Sequence, residues 1–271
     1  MPIKVTFDTN VFQRFDNYPK LLPAIHQKII RGYFSDTFIT LEGVMRQDRV
    51  KIFGSRKIKT DTKMGLTPNT INITIGASMQ QPTLNEQHKQ SINFLIENDL
   101  FGLRGQVYLG DNFNVPYNFD IYERTDISDL IKFREKMSEV EIAIGNKNNE
   151  TGYGVGKCRA RKLGLKLLAR EKVSGKFWYE GLSLCRDRSE TKDVIAAVSE
   201  WADGESIMRH IGYSNDYFCT MDEGKMAKYA SIFDDYHKKW LESTFGVRFI
   251  TPKQLEAIIT PQLDIGERYQ V

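Results

Sequence analysis

A chain of 271 residues, 41% hydrophobic and 27% charged, has the length for one large domain or for one domain carrying a sizeable insertion. Its formal net charge of +3 neither demands nor excludes a nucleic-acid partner, so the placement of charge matters more than the sum. No apolar run approaches the roughly 18 residues of a membrane span and no apolar leader follows a basic start, so a cytoplasmic protein without a membrane partner is expected.

Cys158, Cys185 and Cys219 are odd in number and far apart. They make neither a disulfide framework nor a CxxC zinc site, in keeping with a reducing compartment. Near the start of the chain, Val5 and Phe7 alternate as in a short buried strand, and Asp8-Thr9-Asn10 is turn chemistry at its exit. In open α/β sheets the crevice beyond the carboxyl ends of the strands receives ligands. Asp8 therefore reads either as a functional carboxylate or as the cap of the turn or helix that follows. Leu22, Ile25 and Ile29 recur at helical spacing over residues 19–30, with Gly32 as the expected stop. Residues 34–40 read as a second strand running into a helix start at 41–45, which gives Glu42 the same topological position as Asp8. A basic stretch follows, with Arg49, Lys51, Arg56, Lys57, Lys59 and Lys63.

Residues 69–75 alternate like a strand, 84–100 like a helix, and 106–122 have the Gly, Asn and aromatic content of β-loop structure. Residues 127–144 look helical, and the Asn- and Gly-rich stretch 145–156 reads as an exposed loop. The most basic run is 157–176, with Lys157, Arg159, Arg161, Lys162, Lys166, Arg170, Lys172 and Lys176 against the single acid Glu171. Ala160, Leu163, Leu167 and Leu168 within it predict an amphipathic helix with a cationic face. Val194, Ala197, Val198 and Trp201 mark the next helix, and a separate shorter piece is expected to begin at Asp203. Residues 217–220 form a strand, with Asp222 in the turn after it. Met226, Tyr229, Phe233, Tyr236 and Trp240 lay out one face of a long helix, 247–250 a last strand, and Thr251-Pro252 the opening of a final helix. Gly152, Gly154 and Gly156 lack the spacing of a phosphate loop, with Cys158 where such a loop needs Ser or Thr. His26, His88, His210 and His237 show no HxxxH pairing and read as structural or surface residues.

An acid just past a strand or at a helix start thus recurs at Asp8, Glu42, Asp203 and Asp222. Asp203 and Asp222 each also read as simple caps. Carboxylates gathered at one sheet edge repel unless a cation holds them, and an all-carboxylate, imidazole-poor set suits Mg²⁺ or Mn²⁺.

Val5-Thr6-Phe7-Asp8-Thr9-Asn10, the acid Glu42, Asp203 within the ADGESIMRH stretch, and Thr220-Met221-Asp222 after a strand together resemble the PIN domain. The closing FGVRFITPKQL is similar to the last strand and helix of that family. The resemblance covers roughly residues 1–60 and 190–271. It implies an α/β, PIN-like three-layer fold with a central, mostly parallel sheet flanked by helices. The nuclease domain would be discontinuous, formed by 1–65 and 186–271, with 66–185 as a large inserted α+β region. It implies a divalent-metal-dependent endoribonuclease whose catalytic and metal-binding acids are Asp8, Glu42, Asp203 and Asp222, supported by Asn10 and Thr220. Glu205, Asp216 and Glu223 are alternative ligands. RNA is the implied substrate, and Arg159, Arg161, Lys162, Lys166 and Arg170 the candidate contacts, with Phe177, Trp178 and Tyr179 for base stacking. A solvated helix face and aromatic core are the plainer readings of those two groups. A DNA or flap nuclease of the same fold and a non-catalytic RNA- or protein-binding module are the alternatives. Some family members are toxins held by an antitoxin; neither such a partner nor an oligomeric state is legible here.

Overall fold

Strand β1 (Ile3–Phe7) buries Val5, Thr6 and Phe7 in succession, the pattern of a strand covered on both faces rather than one. It lies at the centre of a five-stranded, all-parallel sheet of order β5-β2-β1-β6-β7, built with β2 (Ile30–Ser35), β5 (Phe101–Leu103), β6 (Tyr217–Cys219) and β7 (Phe249–Ile250). The structure, a computed structural model, describes residues 1–42, 57–64, 71–78, 86–105, 122, 125–152, 154–174, 176–225 and 230–268. A separate antiparallel hairpin joins β3 (Lys57–Met64) to β4 (Ile71–Ser78). The expected loop structure at 106–121 and most of the basic stretch after Met45 lie outside the described residues.

Helices cover both faces of the sheet, and the chain is α/β. On one face Phe7 and Phe34 meet Phe12 of α1 (Thr9–Phe12), Ile25 of α2 (Leu21–His26), Leu95 of α3 (Glu86–Glu97) and Leu255 and Ile259 of α8 (Pro252–Arg268). On the other, Phe218 joins Met137 and Val140 of α4 (Ile127–Thr151), Ile207 and Ile211 of α6 (Arg188–Gly212) and Leu241 of α7 (Asp235–Phe245). Within β6 the side chains alternate, Phe218 facing the second layer while Tyr217 and Cys219 face the first. A third apolar cluster binds α5 (Lys157–Arg170) and the 3₁₀ segment Trp178–Leu184 to α6 through Ala160, Leu167, Leu182, Val194 and Trp201. Segment 66–185 thus supplies the edge strand β5 and the helices α4 and α5. Among the described residues, no helix is long and apolar enough to cross a membrane.

Several boundaries differ from the periodicity reading, each for a tertiary reason. The second strand begins at Ile30, and the preceding helix is confined to Leu21–His26. Gly32 does not stop that helix but sits inside β2, where a Cβ would stand 3.1 Å from Leu100 and 3.3 Å from Phe7. Glu42 lies in a π-helical turn (Phe38–Glu42), and most of the helix start expected at 41–45 lies outside the described residues. Residues 145–151 extend α4 rather than forming a loop. Buried Asn148 donates to Ile144 O at 2.7 Å and accepts from Val155 N at 2.8 Å, and Gly152 ends the helix at φ 70°. Helix α6 runs unbroken through Asp203, so that acid is not an N-cap. The helix expected from Met226 starts only at Asp235, where Asp234 caps it by accepting from His237 N at 2.8 Å. Met226 and Tyr229 lie outside the described residues.

Candidate functional site

The parallel pairing of β1 with β6 brings Asp8 and Thr220, 212 positions apart, to the same carboxyl edge of the sheet. Asp8 N donates to Cys219 O at 2.9 Å, which fixes the strand exits side by side. The carboxylate of Asp8 is nearly buried and accepts three hydrogen bonds. Its Oδ1 takes Thr9 N at 2.8 Å, and its Oδ2 takes Asn10 Nδ2 at 2.7 Å and Thr220 Oγ1 at 2.6 Å. The cap reading and the crevice reading of Asp8 are therefore compatible, because one oxygen caps α1 while the other belongs to a polar bridge between strands. Thr220 Oγ1 also accepts from Asp222 N at 2.9 Å, and Asn10 Oδ1 accepts from Met221 N at 3.2 Å. Asp222 Oδ1 accepts from Gly224 N at 2.7 Å, and the Lys238 ammonium donates to the Asp222 carbonyl.

Burial, opposed by the Thr220 hydrogen bond, pushes the Asp8 carboxyl up to about 7, and the charges of Glu42 and Asp222 push it the same way. Asp203, partly exposed on α6, is raised well above its ordinary value by burial and then by Glu200, Asp8, Glu42 and Asp222. Glu42 and Asp222 thus act on both Asp8 and Asp203, so that four separate pieces of chain bring their acids into one field. Among the described residues, however, no three His, Cys, Asp or Glu side chains stand close enough to hold one metal ion between them. The acids share a field, not a closed cage.

Comparison with protein-family models, curated proteins and solved structures finds no match.

The alternative ligands are occupied elsewhere. Glu205 Oε2 lies 2.7 Å from Arg209 Nη1, and its Oε1 accepts from Trp201 Nε1 at 3.2 Å. Asp216 accepts from Lys4 N at 2.8 Å and faces Arg248, while Glu223 pairs with Lys225 on the surface. Of the candidate RNA contacts on α5, Arg161, Lys162 and Lys166 point outward. Arg170 is held by Glu171 at 2.7 Å, by Glu190, and by Leu184 O at 2.7 Å. Arg159 is half-buried and acts on Glu200.

Three charged residues near this edge escaped the sequence reading. Glu200 is buried on α6, with its Oε1 accepting from Gly156 N at 2.7 Å and Ile232 N at 2.8 Å; burial pushes its carboxyl up to about 7. It ties the start of α5 and the 231–232 turn to the helix that carries Asp203. Arg209 lies between Glu205 and Asp36, with its Nε 2.7 Å from Asp36 Oδ1. Asp36 Oδ2 also accepts from Gly105 N at 3.1 Å and Tyr122 OH at 3.3 Å. The Glu205–Arg209 half of this group had a sequence signal, the i,i+4 spacing of opposite charges on a helix.

Oxygen-only donors of which two, Asp8 and Asp203, have raised proton affinity are chemically suited to a hard divalent cation, which would displace those protons as counter-charge. Mg²⁺ in particular is commonly held by one or two carboxylates plus waters and substrate phosphate, and such a site needs no three-ligand cage.

Proposed function

We propose that this chain is a PIN-like, Mg²⁺- or Mn²⁺-dependent endoribonuclease, with 66–185 as an elaboration of the PIN-like core. The observation that carries this reading is that Glu42 and Asp222 both act on the carboxyls of Asp8 and Asp203, with Asp8 at the carboxyl edge of a parallel sheet. That edge is the ligand-binding side of such folds.

Asp8 and Asp222 would hold the ion directly, and Glu42 and Asp203 would complete its shell or act through water. A divalent ion held there would supply Lewis-acid chemistry to the scissile phosphate and the attacking water. Thr220 and Asn10 fix the orientation of the Asp8 carboxylate by donating to its Oδ2. The same Thr220 hydroxyl positions Asp222 by accepting its backbone N–H, so one side chain sets the relative placement of two acids. The displacement needs no side-chain nucleophile, because water supplies the oxygen that joins phosphorus as the P–O bond to the leaving group breaks.

A second reading, a PIN-like module that binds RNA or protein without cleaving, draws on one observation: among the described residues the acids do not close to three-ligand distance. Incubation of labelled RNA and DNA with the protein in Mn²⁺, Mg²⁺ or chelator separates the readings. Chelator-sensitive RNA cleavage supports the endoribonuclease, preferential DNA cleavage the related DNA or flap nuclease, and RNA binding without cleavage of either polymer the non-catalytic module.

A further inference from the structure

The chain from Asp36 to Glu42 descends along helix α6 in steps. Asp36 Oδ1 lies 2.7 Å from Arg209 Nε, Thr37 Oγ1 lies 3.1 Å from Ser206 Oγ, and Leu41 joins the apolar cluster of Trp201 and Ala202. As the chain advances from 36 to 41, its partners on α6 recede from 209 to 201. Asp203 falls between the last two steps. It precedes Ser206 by three positions, which puts the two residues on one face of the helix, about 4.5 Å apart along its axis. Glu42, directly after Leu41, is thereby brought to the level of Asp203.

The other side of the same turn is fixed as well. Phe38 meets Phe12 edge-on, with ring centroids 4.8 Å apart and planes at 81°, and Phe12 belongs to the helix that Asp8 caps. The π-helical turn Phe38–Glu42 is therefore held between the element that begins at Asp8 and the one that carries Asp203. The charge of Glu42 raises the proton affinity of both acids, in agreement with that placement.

Within this arrangement the hydroxyl contact is the directional one next to the turn. Thr37 and Ser206 are both buried. Ser35 Oγ lies 2.7 Å from Thr37 Oγ1 and accepts from Thr37 N at 3.3 Å, so three hydroxyls form a chain from the end of β2 to α6. Apolar side chains of the same shape could slide past each other at little cost. Buried hydroxyls cannot, because a slip of about 1 Å breaks the hydrogen bond and leaves a polar group unsatisfied. The contact thus fixes where the turn begins relative to α6, and with it where Glu42 stands relative to Asp203.

We propose that Thr37 and Ser206 are positioning residues whose buried hydroxyl contact sets Glu42 against Asp203 and so tunes the divalent-ion affinity of the carboxylate edge. They serve the Glu42–Asp203 half of the acid set as Thr220 serves the Asp8–Asp222 half. This role rests on the carboxylate site proposed above, though not on RNA as its substrate.

The test is Mn²⁺ binding by the full chain without RNA, followed through the electron paramagnetic resonance signal of the free ion. Asp8→Asn locates the bound ion, since its affinity falls if the ion sits at this edge. Ser206→Ala removes one oxygen and leaves a strong helix former in α6. Thr37→Val keeps the side-chain shape without the hydroxyl. Each is expected to weaken Mn²⁺ binding about tenfold, the lower end of the loss seen when an outer-shell partner of a metal site is removed. The double variant should lose little more than either single one, because both break the same contact. Thr37→Ser restores the hydroxyl and should bind nearly as the wild type does. Leu241→Ala, a core truncation on α7, is the control: it should destabilise the fold in thermal melts and leave Mn²⁺ affinity unchanged.

Circular dichroism checks folding, and if Thr37→Val does not fold, Ser206→Ala decides. If the wild type binds Mn²⁺ and the folded hydroxyl variants bind it equally well, the positioning role is overturned and the carboxylate site stands. The same holds if Leu241→Ala weakens binding as much as they do. If the wild type binds no Mn²⁺, or Asp8→Asn binds it unchanged, the carboxylate site falls and the role with it. If binding weakens as expected while the wild type cleaves no RNA, the positioning role stands and the endoribonuclease reading alone falls.

Discussion

Thr220 Oγ1 lies 2.6 Å from Asp8 Oδ2 and donates its single proton there, while its lone pairs accept the Asp222 backbone N–H at 2.9 Å. A hydroxyl on β6's exit thus orients one proposed ligand and anchors the next. Thr220→Val keeps the shape but removes both roles. Loss of such supporting partners typically costs 10- to 100-fold in metal affinity or activity. The Thr220→Val protein is expected to need about 10- to 100-fold more Mn²⁺ for half-maximal cleavage, while its fold, followed by circular dichroism, is retained. A Mn²⁺ titration of the cleavage rate makes the comparison.

Arg209 is the counter-charge for two buried acids, Asp36 and Glu205, and burial is tolerable only while all three remain. Arg209→Met leaves both carboxylates uncompensated, and removing one partner of a buried ion pair costs about 3–5 kcal/mol. Urea unfolding of the variant should show that loss as a lowered midpoint with unchanged slope. A loss below about 1 kcal/mol would mean that the ion group does not hold β2 and α6 together.

His210 supplies an acid limb to the stability curve. Its ring is buried, with Nδ1 2.9 Å from Thr6 Oγ1, and burial, aided by Lys136 and Arg248, pulls it from 6.5 down to about 3. Below pH 6.5 the unfolded chain binds a proton that the native chain refuses, so this group removes stability as pH falls from 6.5 toward 3. The unfolding free energy of the wild type minus that of His210→Asn should therefore drop by up to about 1.4 kcal/mol per pH unit across that window. Raised carboxyls such as Glu200 act with the opposite sign, which is why the difference between the two proteins, and not the wild-type curve alone, is the quantity to follow.

The sheet was largely legible because its strands end in recognisable chemistry. Asp8-Thr9-Asn10 and Thr220-Met221-Asp222 follow runs of β-favouring residues, and both stand at strand exits in the structure. What stayed hidden depended on distant partners. Gly32 looks like a helix stop until Leu100 and Phe7 crowd it, and Gly204 looks like a cap neighbour until Gly156 is placed against it. Asn148 reads as loop composition, yet its amide bridges Ile144 O and Val155 N and so belongs to a helix end. Asp36 and Arg209 are 173 positions apart, and no local pattern links them before the fold brings them together. The cationic face of α5 was legible as a stripe. That Arg170 is tied to Glu171 and Glu190, leaving Arg161, Lys162 and Lys166 outward, depends on the neighbouring chain.

The central claim, a carboxylate site that hydrolyses RNA with a divalent ion, is tested most directly by comparing RNA cleavage in Mn²⁺ by the wild type and by Asp8→Asn. The substitution keeps the side-chain shape and removes its charge. Chelator-sensitive cleavage by the wild type, reduced at least 100-fold in a folded Asp8→Asn protein, is the predicted result. Cleavage at wild-type rate by Asp8→Asn, or none by the wild type in either metal, would contradict the account.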